Sequence, residues 1–319
     1  MPRAPHNGDW LALLVLTVLW GSAFVLNDLA LASFPPSVLV GGRIAVATAL
    51  IYAYLRLSGQ TLPAIGRAWL PMLILAVFGN VLPFHLIAWA QQHIESSLAA
   101  ILMAVMPLFV MTLAHFFIPG ARLSAYRVAG FVIGFTGVVV VIGAVFSLGL
   151  GGNVPLLGAI ATLGAALSYA ISAIYARRLG AGDPVRRSAG MLLVSSVLSA
   201  PAALVDLSAV AQPSLVSVIA LLALGLLATG FATLLYFRLI EGPGPTFLSF
   251  VNYLVPAWAV IAGAIVLGES LSPSVFLGLA LILAGIGFSE LGARAVAALA
   301  AIRVRPVRWS SPKIIEDEA

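Results

Sequence analysis

The stretch GNVLPFHLIAWAQQH, residues Gly79–His93, follows a run from Leu70 to Val77 that is almost entirely apolar. It sets Asn80, Pro83 and His85 inside a segment that otherwise avoids polar groups. What those three residues do depends on the solvent around them. Of the 319 residues, 62% are hydrophobic and only 8% are charged. Soluble domains carry about 25% charged residues, so this chain could not cover a water-facing surface. Apolar runs of about 18 residues or more read as membrane-spanning helices. In lipid the backbone must satisfy its own hydrogen bonds, which means helix.

Ten spans follow from the pattern: Trp10–Leu31, Ser37–Leu57, Trp69–Trp89, Ser97–Phe117, Tyr126–Leu148, Pro155–Leu179, Ala189–Val205, Leu215–Phe237, Pro245–Leu267 and Pro273–Leu291. Turn residues punctuate them, among them Pro35-Pro36, Ser58-Gly59, Pro119-Gly120, Gly149 to Asn153, Gly242-Pro243 and Ser272-Pro273. The connections are too short to hold a soluble domain, and the one sizeable tail is residues 303–319. No cysteine is present, which excludes disulfides. Ala30-Leu31-Ala32 looks like a small-residue cleavage site. The apolar stretch before it is too long for a removable signal peptide, and removal would leave an odd number of helices.

The net charge of +5 does not point to nucleic acid. With ten helices, Arg3, Arg56, Arg67, Arg122, Arg127, Arg177, Arg178, Arg186, Arg187, Arg238, Arg294, Arg303, Arg305, Arg308 and Lys313 all fall on one side. The opposite loops have no Lys or Arg. That asymmetry predicts a multi-pass protein of the cytoplasmic (inner) membrane with both termini in the cytoplasm. The basic residues record orientation and contact with anionic lipid.

The chain repeats weakly at an offset of about 148 residues. Met106-Pro107, Leu123-Ser124, Gly130 and Gly137 are matched by Val255-Pro256, Leu271-Ser272, Gly278 and Gly285. The expected organisation is a first five-helix repeat over 1–150, a second over 151–302 and a cytoplasmic tail over 303–319. An odd helix number inverts the second repeat relative to the first. The fold class is therefore an all-α integral membrane protein of two inverted five-helix repeats around a central cavity, a recurring plan of secondary transporters.

LWGSAF (Leu19–Phe24), Arg43, MPLFV (Met106–Val110), VPAWAV (Val255–Val260) and LGESLSP (Leu267–Pro273) resemble the drug/metabolite transporter superfamily, EamA type, over Trp10–Gly292. Within it, the chain looks most like YddG-type amino-acid exporters. That resemblance implies export of small metabolites. One departure is visible: Gly268-Glu269 has Gly120-Ala121 as its counterpart in the first half.

Candidate substrate contacts are the polar and aromatic residues inside the spans. Pro83 deprives the carbonyl of Gly79 of its helical donor. Asn80 and Phe84, on neighbouring turns, either line a cavity or, for Asn80, make an interhelical hydrogen bond worth about 0.6 kcal/mol. His85 is either a cavity residue or an interfacial or structural one near Trp89. Pro107 and Pro256 free the carbonyls of Met103 and Asn252, which serve as lining or as kinks. Trp20, Phe24 and Asn27 share one stripe of the first helix. Their counterparts Ser168, Ser172 and Tyr175 share one of the sixth, with Tyr169 beside it. Met103 and Met106 offer adaptable contacts or core filling. Arg43 either pairs with Asp28 or Glu95, snorkels outward, or takes a gating or substrate-carboxylate role. The glycines of the fifth and tenth helices suit close packing, as scaffold or as a homodimer face.

No ATP-binding glycine loop is present. No metal spacing links His6, His85, His93 and His115, and no membrane lysine could hold retinal. An enzyme and a photoreceptor are disfavoured, and no cofactor is expected. With Arg43 the one intramembrane cation, phosphorylated substrates are disfavoured as well. The reading left is a transporter of small neutral or zwitterionic metabolites, most simply aromatic or hydrophobic amino acids, with the export direction implied by the resemblance alone. The alternatives are a drug or metabolite facilitator and a phosphorylated-metabolite exchanger. Proton coupling through His85 and uncoupled transport stand side by side.

Overall fold

The computed structural model describes residues 3–64, 66–121, 124–147, 153–180 and 182–303. Arg122, Leu123, the turn at Gly149–Gly152 and the tail from 304 onward lie outside the described residues, as do the side chains of Glu290 and Arg294. The described chain is all helix, with no strand among the described residues.

Ten helical passages follow one another: α1 Asn7–Leu31, α2 Pro36–Leu57, α3 Trp69–Ala90, α4 Ser96–Phe117, α5 Ala125–Ser147, α6 Asn153–Leu179, α7 Pro184–Asp206, α8 Leu215–Glu241, α9 from Pro245 to Leu267 and α10 Pro273–Arg303. Eight of them are long and apolar enough to cross a membrane, and two shorter apolar stretches, Val251–Leu267 and Pro273–Ser289, complete the set. Their ends follow local chemistry. Proline opens α2 and α7, where a missing N–H costs nothing. Asp183 and Ser214 cap α7 and α8 by accepting from the backbone N–H groups of Arg186 and Ser217 at 2.9 and 3.1 Å. Gly268, at φ +69°, ends α9 in the left-handed region.

The 148-residue repeat is a property of the packing as well as of the sequence. Thr48 on α2 and Ser196 on α7, counterparts separated by 148 residues, hydrogen-bond to each other at 2.9 Å. A residue touching its own counterpart lies on a two-fold axis. The glycines obey the same symmetry. A Cβ on Gly130 would meet the carbonyl oxygen of Gly285 at 2.5 Å, and one on Gly137 would meet that of Gly278 at 2.6 Å. Gly278 and Gly285 are the counterparts of Gly130 and Gly137, so the contacts are reciprocal. Close backbone approach therefore joins α5 to α10 on one flank, while α2 and α7 meet on the axis.

The repeat also carries a feature invisible in the motifs. α3 contains a π-helical segment, Val77–Val81, and α8 contains one at Leu224–Phe231. These are counterpart positions on the third helix of each half. π-bulges insert one extra residue per turn and are frequent at functional sites.

Candidate functional site

The π segment of α3 explains Pro83. In an i→i+5 register the carbonyl facing the proline nitrogen is that of Phe78, one residue earlier than the Gly79 carbonyl expected from α-helical spacing. The hydroxyl of Ser168 on α6 donates to it at 2.9 Å. Ser168 is thus a replacement donor that heals the ladder. Ser168→Ala should leave a buried carbonyl without a partner and cost about 1–3 kcal/mol, read as a fall in Tm of the purified protein; an unchanged Tm would show that the carbonyl finds another donor.

The same α3 segment brings several candidate residues together. Ser172 on α6 stands so close to Gly79 that a Cβ there would lie 2.8 Å from its Oγ. Phe84 and Tyr169 meet edge-on with ring centroids 6.4 Å apart. Asn80 turns the other way. Its buried amide donates to Ser195 Oγ on α7 at 3.1 Å, and Ser195 donates onward to the carbonyl of Met191 at 2.8 Å. Of the two readings of Asn80, this contact is the interhelical hydrogen bond. His85 stays on its own helix, with Nδ1 2.7 Å from the carbonyl oxygen of Val81 and the ring half-buried.

On α1, Phe24 packs with Met103 and Met106 against one apolar cluster of α3, α4, α5, α6 and α10. Trp20 joins a different cluster and meets the ring of Tyr236 at 5.8 Å. The stripe shared by Trp20 and Phe24 thus reaches two clusters. Asn27 is buried and donates to Gln91 Oε1 at 2.8 Å, while Gln91 Nε2 donates to the carbonyl of Phe24 at the same distance. Gln91 lies in the turn after α3. Its place beside His93 concealed it, because nothing in a polar loop composition signals a buried amide clamp.

The paired prolines act differently in the two halves. α4 breaks at Ala104–Val105, just before Pro107, with Ala104 and Val105 bonding back three residues to Ile101 and Leu102. α9 breaks earlier, at Ser249–Phe250, and Pro256 sits inside the helix that resumes at Val251. Asn252 and Tyr253 bond back three residues to Ser249 and Phe250. The half-buried side-chain amide of Asn252 makes no hydrogen bond among the described residues. The hydroxyl of Ser172 is in the same position.

Arg43 departs from the ion pair expected of it. Asp28 and Glu95 do not reach it; the ion pairs among the described residues are Arg3–Asp9 and His6–Asp9, near the N-terminus. Glu95, in the turn between α3 and α4, titrates above the ordinary carboxylate range, because partial burial and then the charge of Glu269 disfavour its ionised form. Arg43 does not snorkel either, for two neighbours hold it sideways. Its Cζ lies 4.0 Å from the centroid of the Phe84 ring, and its Nε donates to Thr229 Oγ1 at 2.8 Å. Thr229 belongs to the π segment of α8, where its own hydroxyl reaches back five residues to the carbonyl of Leu224 at 2.8 Å. The α-helical turn that follows the π segment of α3 and the π segment of α8 thus flank one arginine, a relation no linear spacing could announce.

A groove of about 440 Å³ opens between α2 and α7 on the two-fold axis, lined by Ala45, Thr48, Ala49, Tyr52, Leu62, Leu193 and Ser196. None of the candidate residues lines it. No group of three or more His, Cys, Asp or Glu able to hold a metal occurs among the described residues.

Two segments of the chain, residues 7–143 and 156–290, each match the EamA-like transporter family. The chain is 30% identical over 288 residues to a protein of Escherichia coli strain K12 named "Uncharacterized inner membrane transporter YedA", covering 88% of this chain and 90% of that one. It is 23% identical over 278 residues to "Uncharacterized transporter YoaV" of Bacillus subtilis, covering 86% and 94%. A solved crystal structure shares the fold at a TM-score of 0.64 and 22% identity, covering 91% of this chain and all of that one. The first matched segment runs from α1 into α5 and the second from α6 into α10. Together these findings make the chain a multi-pass membrane protein that belongs to the EamA-like transporter family.

Proposed function

We propose that this transporter is a secondary exporter of small neutral or zwitterionic metabolites, aromatic and hydrophobic amino acids first among them. It works by alternating access about the two-fold axis, with both termini in the cytoplasm. The observation that carries the reading is the combination of interrupted helices in both halves with half-buried polar groups that make no hydrogen bond among the described residues. Lipid tolerates broken helix only where protein or water fills the gaps. Asn252 and Ser172 offer an amide and a hydroxyl to a polar end group, and Phe24, Phe84, Tyr169, Met103 and Met106 offer apolar wall. Few placed polar groups in a mostly apolar surround suit an amino acid. A drug or metabolite facilitator would use the same wall without discriminating among zwitterions.

The test is counterflow into proteoliposomes with labelled amino acids, phosphorylated sugars and cationic drugs. Counterflow of aromatic amino acids and none of phosphates is the expected pattern; phosphate exchange alone would overturn the reading. Two substitutions separate lining from packing. Asn252→Leu should lower amino-acid counterflow about tenfold with Tm unchanged, since its amide has no partner to lose among the described residues. Asn80→Leu should lower Tm by breaking the bond to Ser195, by roughly 0.6 kcal/mol on the scale of interhelical hydrogen bonds, with a smaller effect on transport. The reverse assignment of the two phenotypes would remove Asn252 from the site.

A further inference from the structure

Arg43 is a charged side chain nine-tenths buried, with 9% of its surface exposed, on a helix in a membrane protein. Buried charges are normally paired, because leaving one unpaired in low dielectric is costly. This protein pairs an arginine elsewhere, where Arg3 meets Asp9. Arg43 has no carboxylate among the described residues, and only Nε is hydrogen-bonded, to Thr229. Nη1 and Nη2 have no hydrogen-bond partner among the described residues. They are not sealed off either, since they do not belong to the buried polar atoms that lack a partner. These two nitrogens form the outward edge of the guanidinium, which matches both oxygens of one carboxylate. The Phe84 ring, 4.0 Å from Cζ, fixes the guanidinium without neutralising it. Beside it Tyr169 presents a hydroxyl that makes no hydrogen bond among the described residues. The fold itself does not require a cation there, because the counterpart of Arg43 in the second half is Met191.

We infer that Arg43 is the carboxylate-binding residue of the transport site, taking the substrate's carboxylate on Nη1 and Nη2 with the Tyr169 hydroxyl alongside. This deepens the amino-acid reading and rests on it for the identity of the substrate, though not for the anion site. One carboxylate per substrate fits one buried arginine.

The test uses the full chain in phosphatidylcholine nanodiscs, which carry no anionic headgroup. L-Phenylalanine, L-phenylalaninamide and 3-phenylpropionate are titrated, and counterflow is measured in parallel. The wild type should bind the acid about tenfold or more tightly than the amide, as charge-assisted pairing requires. Arg43→Gln should erase that ratio while amide binding persists. Arg43→Lys keeps the charge and guards against a folding failure; it should reduce the ratio, because an ammonium cannot present a two-pronged edge. An acid-to-amide ratio unchanged in Arg43→Lys, or a wild type that binds neither carboxylate, would overturn the inference. So would competition by phosphatidylglycerol added to the nanodiscs, which would make Arg43 a lipid-headgroup ligand. If 3-phenylpropionate binds through Arg43 but no amino acid shows counterflow, the amino-acid reading falls and the anion site stands. If amino acids show counterflow with the wild-type ratio in Arg43→Lys, the reverse holds.

Discussion

Glu269→Ala is expected to lower transport turnover by more than tenfold. Glu269 follows Gly268 at the end of α9, yet its carboxylate serves the start of α4. One oxygen accepts from the backbone N–H of Ser96 at 2.7 Å; the other accepts from the N–H of Ser97 at 3.0 Å and from the Ser97 hydroxyl. Ser96 and Ser97 are fully buried. A carboxylate at a helix N-terminus satisfies orphan donors and meets the positive end of the helix dipole. Removing it strands two buried N–H groups, each costing about 1–3 kcal/mol. The contact joins the two halves at the end of the bundle opposite the N-terminus, where the alternating access proposed above would open and close a path. A contact of about 3 kcal/mol made in one state alone biases the two states by roughly 10²-fold, so its loss should trap the carrier open at that end. Because the chain has no cysteine, Ser97→Cys labelling reads the opening directly, with faster modification expected in the Glu269→Ala background. Gly263→Ala is an independent route to the same phenotype, since its Cβ would collide with the Glu269 carboxylate and the Ser97 hydroxyl. Wild-type turnover and labelling in both variants would show that the contact persists through the cycle. The counterpart site is built otherwise: Ala121 has no carboxylate, and Pro245 at the start of α9 has no N–H to offer. The contact is therefore one-sided, which sequence reading registered only as a missing acidic residue.

Much of the fold was legible because lipid imposes simple rules. Apolar length fixed the number of spans, and the proline and glycine offsets carried the repeat. The glycine faces of α5 and α10 were readable because close approach leaves no substitute for glycine. The site was less legible. Pro83 pointed to a freed carbonyl, but the π register moved it from Gly79 to Phe78, and α-helical arithmetic cannot foresee an inserted residue. Arg43 was visible as an anomaly. Its neighbours Phe84 and Thr229 lie on α3 and α8, and no period along the chain connects three helices. Gln91, Ser195 and Thr229 were missed for one reason. Polar side chains that serve another helix have no local signature, and they are recognised only once the helices are assembled.

Two alanine substitutions on α10, two positions apart, should have opposite effects. Gly285→Ala is expected to destabilise the protein by about 3 kcal/mol, whereas Gly287→Ala should leave it unchanged or stabilise it by up to about 1 kcal/mol. Helix propensity alone favours alanine over glycine at both sites by roughly 1 kcal/mol. Space decides the sign. A Cβ on Gly285 would lie 2.5 Å from the carbonyl oxygen of Gly130 and would also strike the Gly134 backbone, while nothing lies within 4 Å of one on Gly287. Backbone cannot swing aside as a flexible side chain can, so α5 and α10 must separate along their length. Overpacking of this kind costs about 1–3 kcal/mol and sometimes more. Here separation would also loosen the reciprocal contact of Gly137 with Gly278, where a Cβ on Gly137 meets the carbonyl oxygen of Gly278 at 2.6 Å. Two-fold reciprocity makes a further demand: Gly137→Ala, the counterpart substitution of Gly285→Ala, should be destabilising to a similar degree. Thermal unfolding of the three variants in one detergent measures all of this. Equal Tm values for Gly285→Ala and Gly287→Ala would mean that α5 and α10 are not in backbone contact. Unequal penalties at Gly137 and Gly285 would mean that the two-fold relation on this flank is only approximate.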